Sequence, residues 1–389
     1  MESSRRRFLW NVGKVLVVVA GGAYALRRCD ALPGSAIEAW EGPADDEEDI
    51  RRWALSYAIL APSNHNMQPW KFDLQGSEER IRLYIDEEHL LPVMDPYLHQ
   101  ALIDLGGVIE SLVIAASHKN YRVEVQYFPE GSLSRDRPSS KPVADIRLIA
   151  DATVTEDPLF PYLLQRRSNR QLYQSTPLST EHRTALQAAM ATQQVQLDFV
   201  TDPAEVEAVR LLTVKALGVT MTTADTMQET VANTRIGGSS INEARDGIAL
   251  HGPLIWWLQK SGRLSAENAA TPGSMGYNAI FGDAAAPLMA TPGFVLFQNA
   301  GHAPEGQLAM GRAYLRFNVW ATQLGVSVQP VNHVLIEHPA MAETQAEFYQ
   351  TLNKSRFRVV QMLVRIGYAL EDIPAPTARR PLQDSLLTE

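Results

Sequence analysis

The stretch from Leu102 to Ala116 constrains this chain most, because it is apolar nearly throughout and carries Gly106 and Gly107 near its start. A helix of that composition has no broad polar face to give to water, so it must be buried on most sides. Around it the hydropathy pattern changes period. Ile50 to Leu60 reads as a helix, while Trp70 to Leu74, Ile81 to Ile85, Tyr121 to Phe128 and Val143 to Ile149 alternate as strands.

A second pass of the same order follows: a helix near Pro161, a helix from Ser179 to Ala191, and strands at Val195 to Val200 and Gly293 to Phe297. Next come a helix from Gln307 to Leu324 and strands at Val326 to Leu335 and Arg358 to Ile366. Gly311 to Ala321 matches Leu105 to Ala116 in kind, a glycine opening an apolar helix that runs into a strand. The pattern predicts an α+β fold, internally duplicated so that one chain mimics a dimer, with halves over 50–155 and 156–389. A chance alignment of two helix–strand units is the alternative. About 220–287 is extra in the second half, contains Trp256 and Trp257, and reads as a lid-like insertion. A tryptophan pair of this kind belongs more often to a core than to a ligand platform.

Composition supports two domains with a sizeable core: 389 residues, 45% hydrophobic and 20% charged. The single Cys29 excludes an intrachain disulfide and any cysteine-based metal centre. Ser4-Arg5-Arg6-Arg7-Phe8-Leu9, followed by an apolar run from Val15 to Leu26, resembles a twin-arginine export signal over residues 1–30. It implies the twin-arginine export machinery as a partner and a periplasmic or membrane-associated location. Residues 31–49, rich in Pro, Gly and acid, read as a solvated linker. Without residues 1–30 the net charge is −13, which argues against nucleic acid as a partner. Any basic cluster inside such a chain is therefore informative.

Two motifs carry chemistry. The first is Ala61-Pro62-Ser63-Asn64-His65-Asn66-Met67-Gln68-Pro69-Trp70. An isoalloxazine ring needs an apolar surface and hydrogen-bonding groups along its pyrimidine edge, and Ser63, Asn64, Asn66 and Gln68 are the polar candidates. The plain alternative is a helix-to-strand turn built on Asn and Pro. The second is Arg166-Arg167-Ser168-Asn169-Arg170. In extended chain, Arg166, Ser168 and Arg170 face one way, and two guanidinium forks suit a phosphate; a basic helix end is the alternative.

The first motif resembles the APSxxNxQPW loop, and the second the RxSxR grip, by which nitroreductase-superfamily proteins hold FMN. The resemblance implies that fold and FMN as cofactor, with a small-molecule acceptor such as a nitro compound or quinone and an electron donor the sequence does not identify. In typical members one chain carries both motifs; here each half holds one. That division resembles the Acg-like branch, across roughly residues 45 to 387, and implies one flavin shared between halves of a monomeric pseudo-dimer. By the same resemblance Arg379 or Arg380 completes the phosphate site, a solvated basic tail being the alternative, and Gln329-Pro330 lies near the reactive edge of the flavin. His99 stands where that branch often has arginine. His65 faces either the flavin or solvent. A flavin-sequestering or storage protein with little turnover is the second functional reading, since an exported chain meets little NAD(P)H.

Overall fold

Two antiparallel four-stranded sheets built in the same order frame the molecule. The computed structural model describes residues 32–134, 136–352, 359–371 and 375–387, so the expected export signal lies outside the described residues. The first unit runs α1 (Ile50–Ala58), β1 (Trp70–Asp73), β2 (Arg80–Ile85), α2 (His99–His118), β3 (Tyr121–Tyr127) and β4 (Ala144–Ala150). The second opens with α3 (Thr180–Ala189) and β5 (Gln196–Val200). It then inserts α4 (Pro203–Thr222), α5 (Ala224–Ala232), β6 (Thr234–Ile236), α6 (Gly238–Ala244) and β7 (Ile248–Leu250). The insertion continues with α7 (Pro253–Lys260), α8 (Ala266–Ala270) and α9 (Met275–Met289). The unit closes with β8 (Gly293–Asn299), α10 (Pro304–Gln323), β9 (Ser327–Pro330), α11 (Ala342–Thr351) and β10 (Val359–Gly367).

The sheet orders are β1-β2-β4-β3 and β5-β8-β10-β9, which is first, second, fourth, third strand in both units. In the second sheet the inner strands β8 and β10 are buried almost end to end, under cover on both faces. β2 alternates buried and partly buried residues, as a strand with one core face should.

Local chemistry sets the helix starts. Asp49 caps α1 by accepting the Arg51 N–H, and Ser179 caps α3 by accepting that of His182. The Asp95 carboxylate accepts the N–H groups of Gln100 and Ala101 at 3.0 and 2.9 Å, stabilising the first turn of α2. Helix α2 is long and apolar enough to cross a membrane, but nearly all its residues are buried inside the protein. Its principal neighbour is α10.

That contact is reciprocal. A methyl group added at Gly106 would lie 2.1 Å from the Leu308 carbonyl oxygen, and one at Gly311 would lie 1.8 Å from that of Ile103. Each glycine therefore admits the backbone three residues before the other. Beside the crossing, buried Glu110 of α2 accepts from Arg312 at 2.6 Å and Arg316 at 2.9 Å.

Three expected elements differ. The helix near Pro161 is one 3-10 turn, Phe160–Tyr162. The strand expected to reach Leu335 stops at Pro330, which lacks an N–H; the chain turns into a 3-10 segment at Asn332–Leu335, and Asn332 Oδ1 takes the Leu363 N–H at 2.9 Å. Residues 31–49 are not simply a solvated linker, because Trp40 is 7% exposed, joins the core and donates from Nε1 to the Thr377 carbonyl at 2.9 Å.

Gly311→Ala is expected to destabilise the fold by about 1–3 kcal/mol, since the backbone contact has no room to yield. Gly218→Ala, in the interior of α4 with nothing within 4 Å of the added carbon, is expected to stabilise it by up to about 1 kcal/mol. Urea denaturation of both variants checks the pair.

Candidate functional site

Residues 61–70 leave α1 in a strained path. His65, Asn66 and Gln68 have φ of 48°, 58° and 57°, a left-handed conformation that asparagine tolerates and the other two pay for. Internal bonds hold it. Ser63 Oγ accepts the Gln68 N–H at 3.0 Å, and Asp104 of α2 accepts the Asn64 N–H at 2.8 Å. Burial holds the Asp104 carboxyl well above the usual carboxylate range.

Gln68 is fully buried, and its amide is spent on scaffold. Nε2 donates to the carbonyls of Asn66 and Arg245 at 3.1 and 2.8 Å, while Oε1 accepts the Arg380 N–H at 3.0 Å. Asn66 donates to the Ala378 carbonyl at 3.1 Å, and its Oδ1 accepts from Arg379. These two residues therefore tie the loop to the C-terminal tail and the insertion, and do not turn their amides towards open space. The insertion is bound here a second time, through the Gly247 N–H to the Asn66 carbonyl at 3.2 Å.

The arginine segment is pinned along β9. Asn169 donates its N–H to the Val328 carbonyl at 3.0 Å and its Nδ2 to Ser327 Oγ at 3.1 Å. Arg365 of β10, fully buried, donates to the carbonyls of Asn169 and Gln171 at 2.8 and 2.6 Å, clamping the chain on both sides of Arg170. Gln329 serves that clamp, its Oε1 accepting from Arg365 Nε at 2.6 Å, and Pro330 offers no N–H. Ser168 pairs with the Tyr314 hydroxyl on α10. Arg166 reaches the first unit, donating to the Leu60 carbonyl at 2.9 Å.

The two motifs, about a hundred residues apart in sequence, thus meet. Arg166, Arg167 and Arg379 gather around the Trp40 ring at 5.5, 4.2 and 5.4 Å from its centroid. Burial lowers Arg166 and Arg167 to about 10 and Arg379 to about 9, the last also through repulsion from the first two. All three stay charged at neutral pH. Among the described residues none of them forms an ion pair with a carboxylate, and Arg379 Nε is buried without a hydrogen-bond partner. Arg380 is different, since it is neutralised by Asp86 at 3.0 Å.

Arg170 is exposed, although surrounding protein lowers its pKa. Next to it stand His65 and His333, held neutral at about 3 and about 4, first by burial and then by neighbouring positive groups, Arg170 among them. Both rings have a buried Nδ1 without a partner. A charged cluster with no carboxylate in ion-pair contact among the described residues, bordered by unsatisfied ring nitrogens, has the chemistry to take an anion joined to a flat polar ligand. Trp40, Tyr314, His333 and Arg365 escaped the sequence reading; only Trp40, an isolated aromatic in a polar stretch, left a visible trace.

No family model matches the chain. In sequence it is similar to a Mycobacterium tuberculosis H37Rv protein described as uncharacterized, 23% identical over 86% of this chain and 91% of that one. It is 24% identical to the probable NAD(P)H nitroreductase PigM of a Serratia species, over 58% of this chain and 67% of PigM. The putative NAD(P)H nitroreductase acg of M. tuberculosis is 25% identical over 40% and 45%. The similarity is to nitroreductases. Solved structures that align include a Bacteroides fragilis nitroreductase with bound FMN, TM-score 0.34, 15% identity, over 56% of this chain and 92% of that one. Another is the FMN-dependent nitroreductase NfnB of Mycobacterium smegmatis with NADPH, TM-score 0.35, 14% identity, over 58% and 95%.

The depressed histidines have a consequence for pH. Below pH 6.5 the unfolded chain binds protons at His65 and His333 that the folded chain refuses until about pH 3–4, so this pair costs stability as pH falls from 6.5. His333→Asn is therefore expected to gain on wild type by about 1–2 kcal/mol between pH 7 and 4.5 in urea melts. A pH-independent difference would contradict the assignment.

Proposed function

We propose that this chain is an FMN-binding oxidoreductase of nitroreductase type, with one flavin shared between two related halves. The observation that carries the reading is the trio of buried Arg166 and Arg379 with half-buried Arg167, none in an ion pair with a carboxylate among the described residues, meeting the 61–70 loop beside Arg170, His65 and His333. Its chemistry fits FMN: the trio and Ser168 would hold the phosphate, and Arg170 with the two imidazoles would be left for the ring. The bound flavin would supply hydride or electron transfer to a small acceptor such as a nitro compound or quinone. The similarity to PigM and acg supports the reaction class, and NAD(P)H is the donor their descriptions name.

What the chain itself contributes is position and charge. Arg365 fixes the carbonyls flanking Arg170, so that its charge is preorganised. The neutral imidazoles bring ring nitrogens without a hydrogen-bond partner close to Arg170 and add no charge. Identical sheet orders and the reciprocal glycine contact support the shared origin of the halves, as does the division of the two motifs between them.

Replacing both Arg166 and Arg170 by alanine removes two charge-assisted contacts worth about 1.5–3 kcal/mol each. Flavin affinity is expected to fall by about two to four orders of magnitude. The double variant should purify folded by circular dichroism and largely colourless; a yellow double variant overturns the site.

We propose further that residues 1–30 direct twin-arginine export, on the order Arg5-Arg6-Arg7-Phe8-Leu9 followed by an apolar run. Changing Arg5 and Arg6 together to lysine should leave the protein in the cytoplasm with flavin binding intact. Unchanged export in fractionated cells would refute it.

A further inference from the structure

A second cluster stands apart from the arginines, where three separate stretches of chain converge. His99 is the first residue of α2, His302 lies in the turn before α10, and Glu337 lies between β9 and α11. One ligand-type atom from each falls within 4.8 Å of the other two. The His99 ring is 3% exposed and lies beside the Gln361 side chain, and its Nε2 is buried without a hydrogen bond of good geometry. The two imidazoles meet edge to face, centroids 5.6 Å apart and planes at 88°.

A buried imidazole nitrogen without a partner is costly unless something fills its lone pair. His302 brings a second nitrogen donor and Glu337 a carboxylate. An ion at the centre of a triangle with 4.8 Å edges sits about 2.8 Å from each corner. Reaching the 2.0–2.2 Å of zinc–nitrogen and zinc–oxygen bonds asks each ligand to move by less than about 1 Å. His302 and Glu337 are on loops, exposed and half-buried, and can make that adjustment. Two nitrogens and one oxygen suit zinc and its first-row neighbours, whereas calcium and magnesium prefer all-oxygen sets.

We propose that His99, His302 and Glu337 bind one divalent transition-metal ion of zinc type, with solvent completing the coordination. The ion would bridge the first unit to the second, joining the start of α2 to the approaches of α10 and α11. This site does not depend on the flavin reading.

The test titrates zinc chloride into the EDTA-treated full-length protein by calorimetry. One equivalent should bind with a Kd below about 10 μM, and His302→Ala and Glu337→Gln should each weaken it by about a hundredfold. Both replaced residues sit on loops away from the central crossing, so these variants are chosen over one at buried His99. His251→Ala, an exposed histidine outside the cluster, should bind as wild type does. Zinc should also raise the melting temperature of wild type and not that of His302→Ala. No binding at about 100 μM zinc, or undiminished affinity in either cluster variant, overturns the proposal.

Discussion

The rest of the structure depends on the close approach of two helix backbones at Gly106 and Gly311. Because neither position carries a side chain, α2 and α10 come near enough for each glycine to lie against a carbonyl of the partner helix. Dispersion and packing at that distance cannot be recovered by any other residue. The crossing sets where the start of α2 and the face of α10 fall, and both reach the candidate site. Asp104 of α2 anchors Asn64, and Tyr314 of α10 meets Ser168.

The fold carries a charge arrangement that stability alone would not select. Three guanidinium groups near one indole repel one another, and two of them, Arg166 and Arg379, are buried while Arg167 is half-buried. Stacking on Trp40 and bonds to the carbonyls of Leu60 and Ala61 offset part of that cost. A carboxylate partner would have offset it better, and elsewhere the chain supplies one readily: Glu110 takes two arginines, and Asp86 takes Arg380. The contrast is what the proposed phosphate site rests on.

The insertion shares its supports with the ligand loop. Asp246, next to Gly247, binds Arg235 at 2.8 Å and faces His89, which in turn binds Asp86. Arg380 meets the same Asp86 and donates its N–H to Gln68. One continuous polar network therefore links insertion, loop and C-terminal tail, so that a displacement of the insertion would be felt at Asn66 and Gln68. Their amides are committed to this network, which is why Gln68, conspicuous as a ligand candidate, turns out to hold scaffold together.

The sequence by itself determined the repeated helix–strand order, because hydrophobic period is a local property: α1, α2, α3, α10 and seven of the eight expected strands needed no distant partner to be legible. It also determined the two motifs, whose residue types announce their chemistry. Only tertiary structure decided which bonds those residues make. Gln329 and Gln68 read as candidates yet bond to Arg365 and Arg380, while Trp40, Tyr314 and His333 joined the site from stretches that look ordinary. The reason is physical: period and propensity act over a few residues, whereas the burial of an arginine beside an indole more than a hundred positions away is fixed only when distant segments pack together.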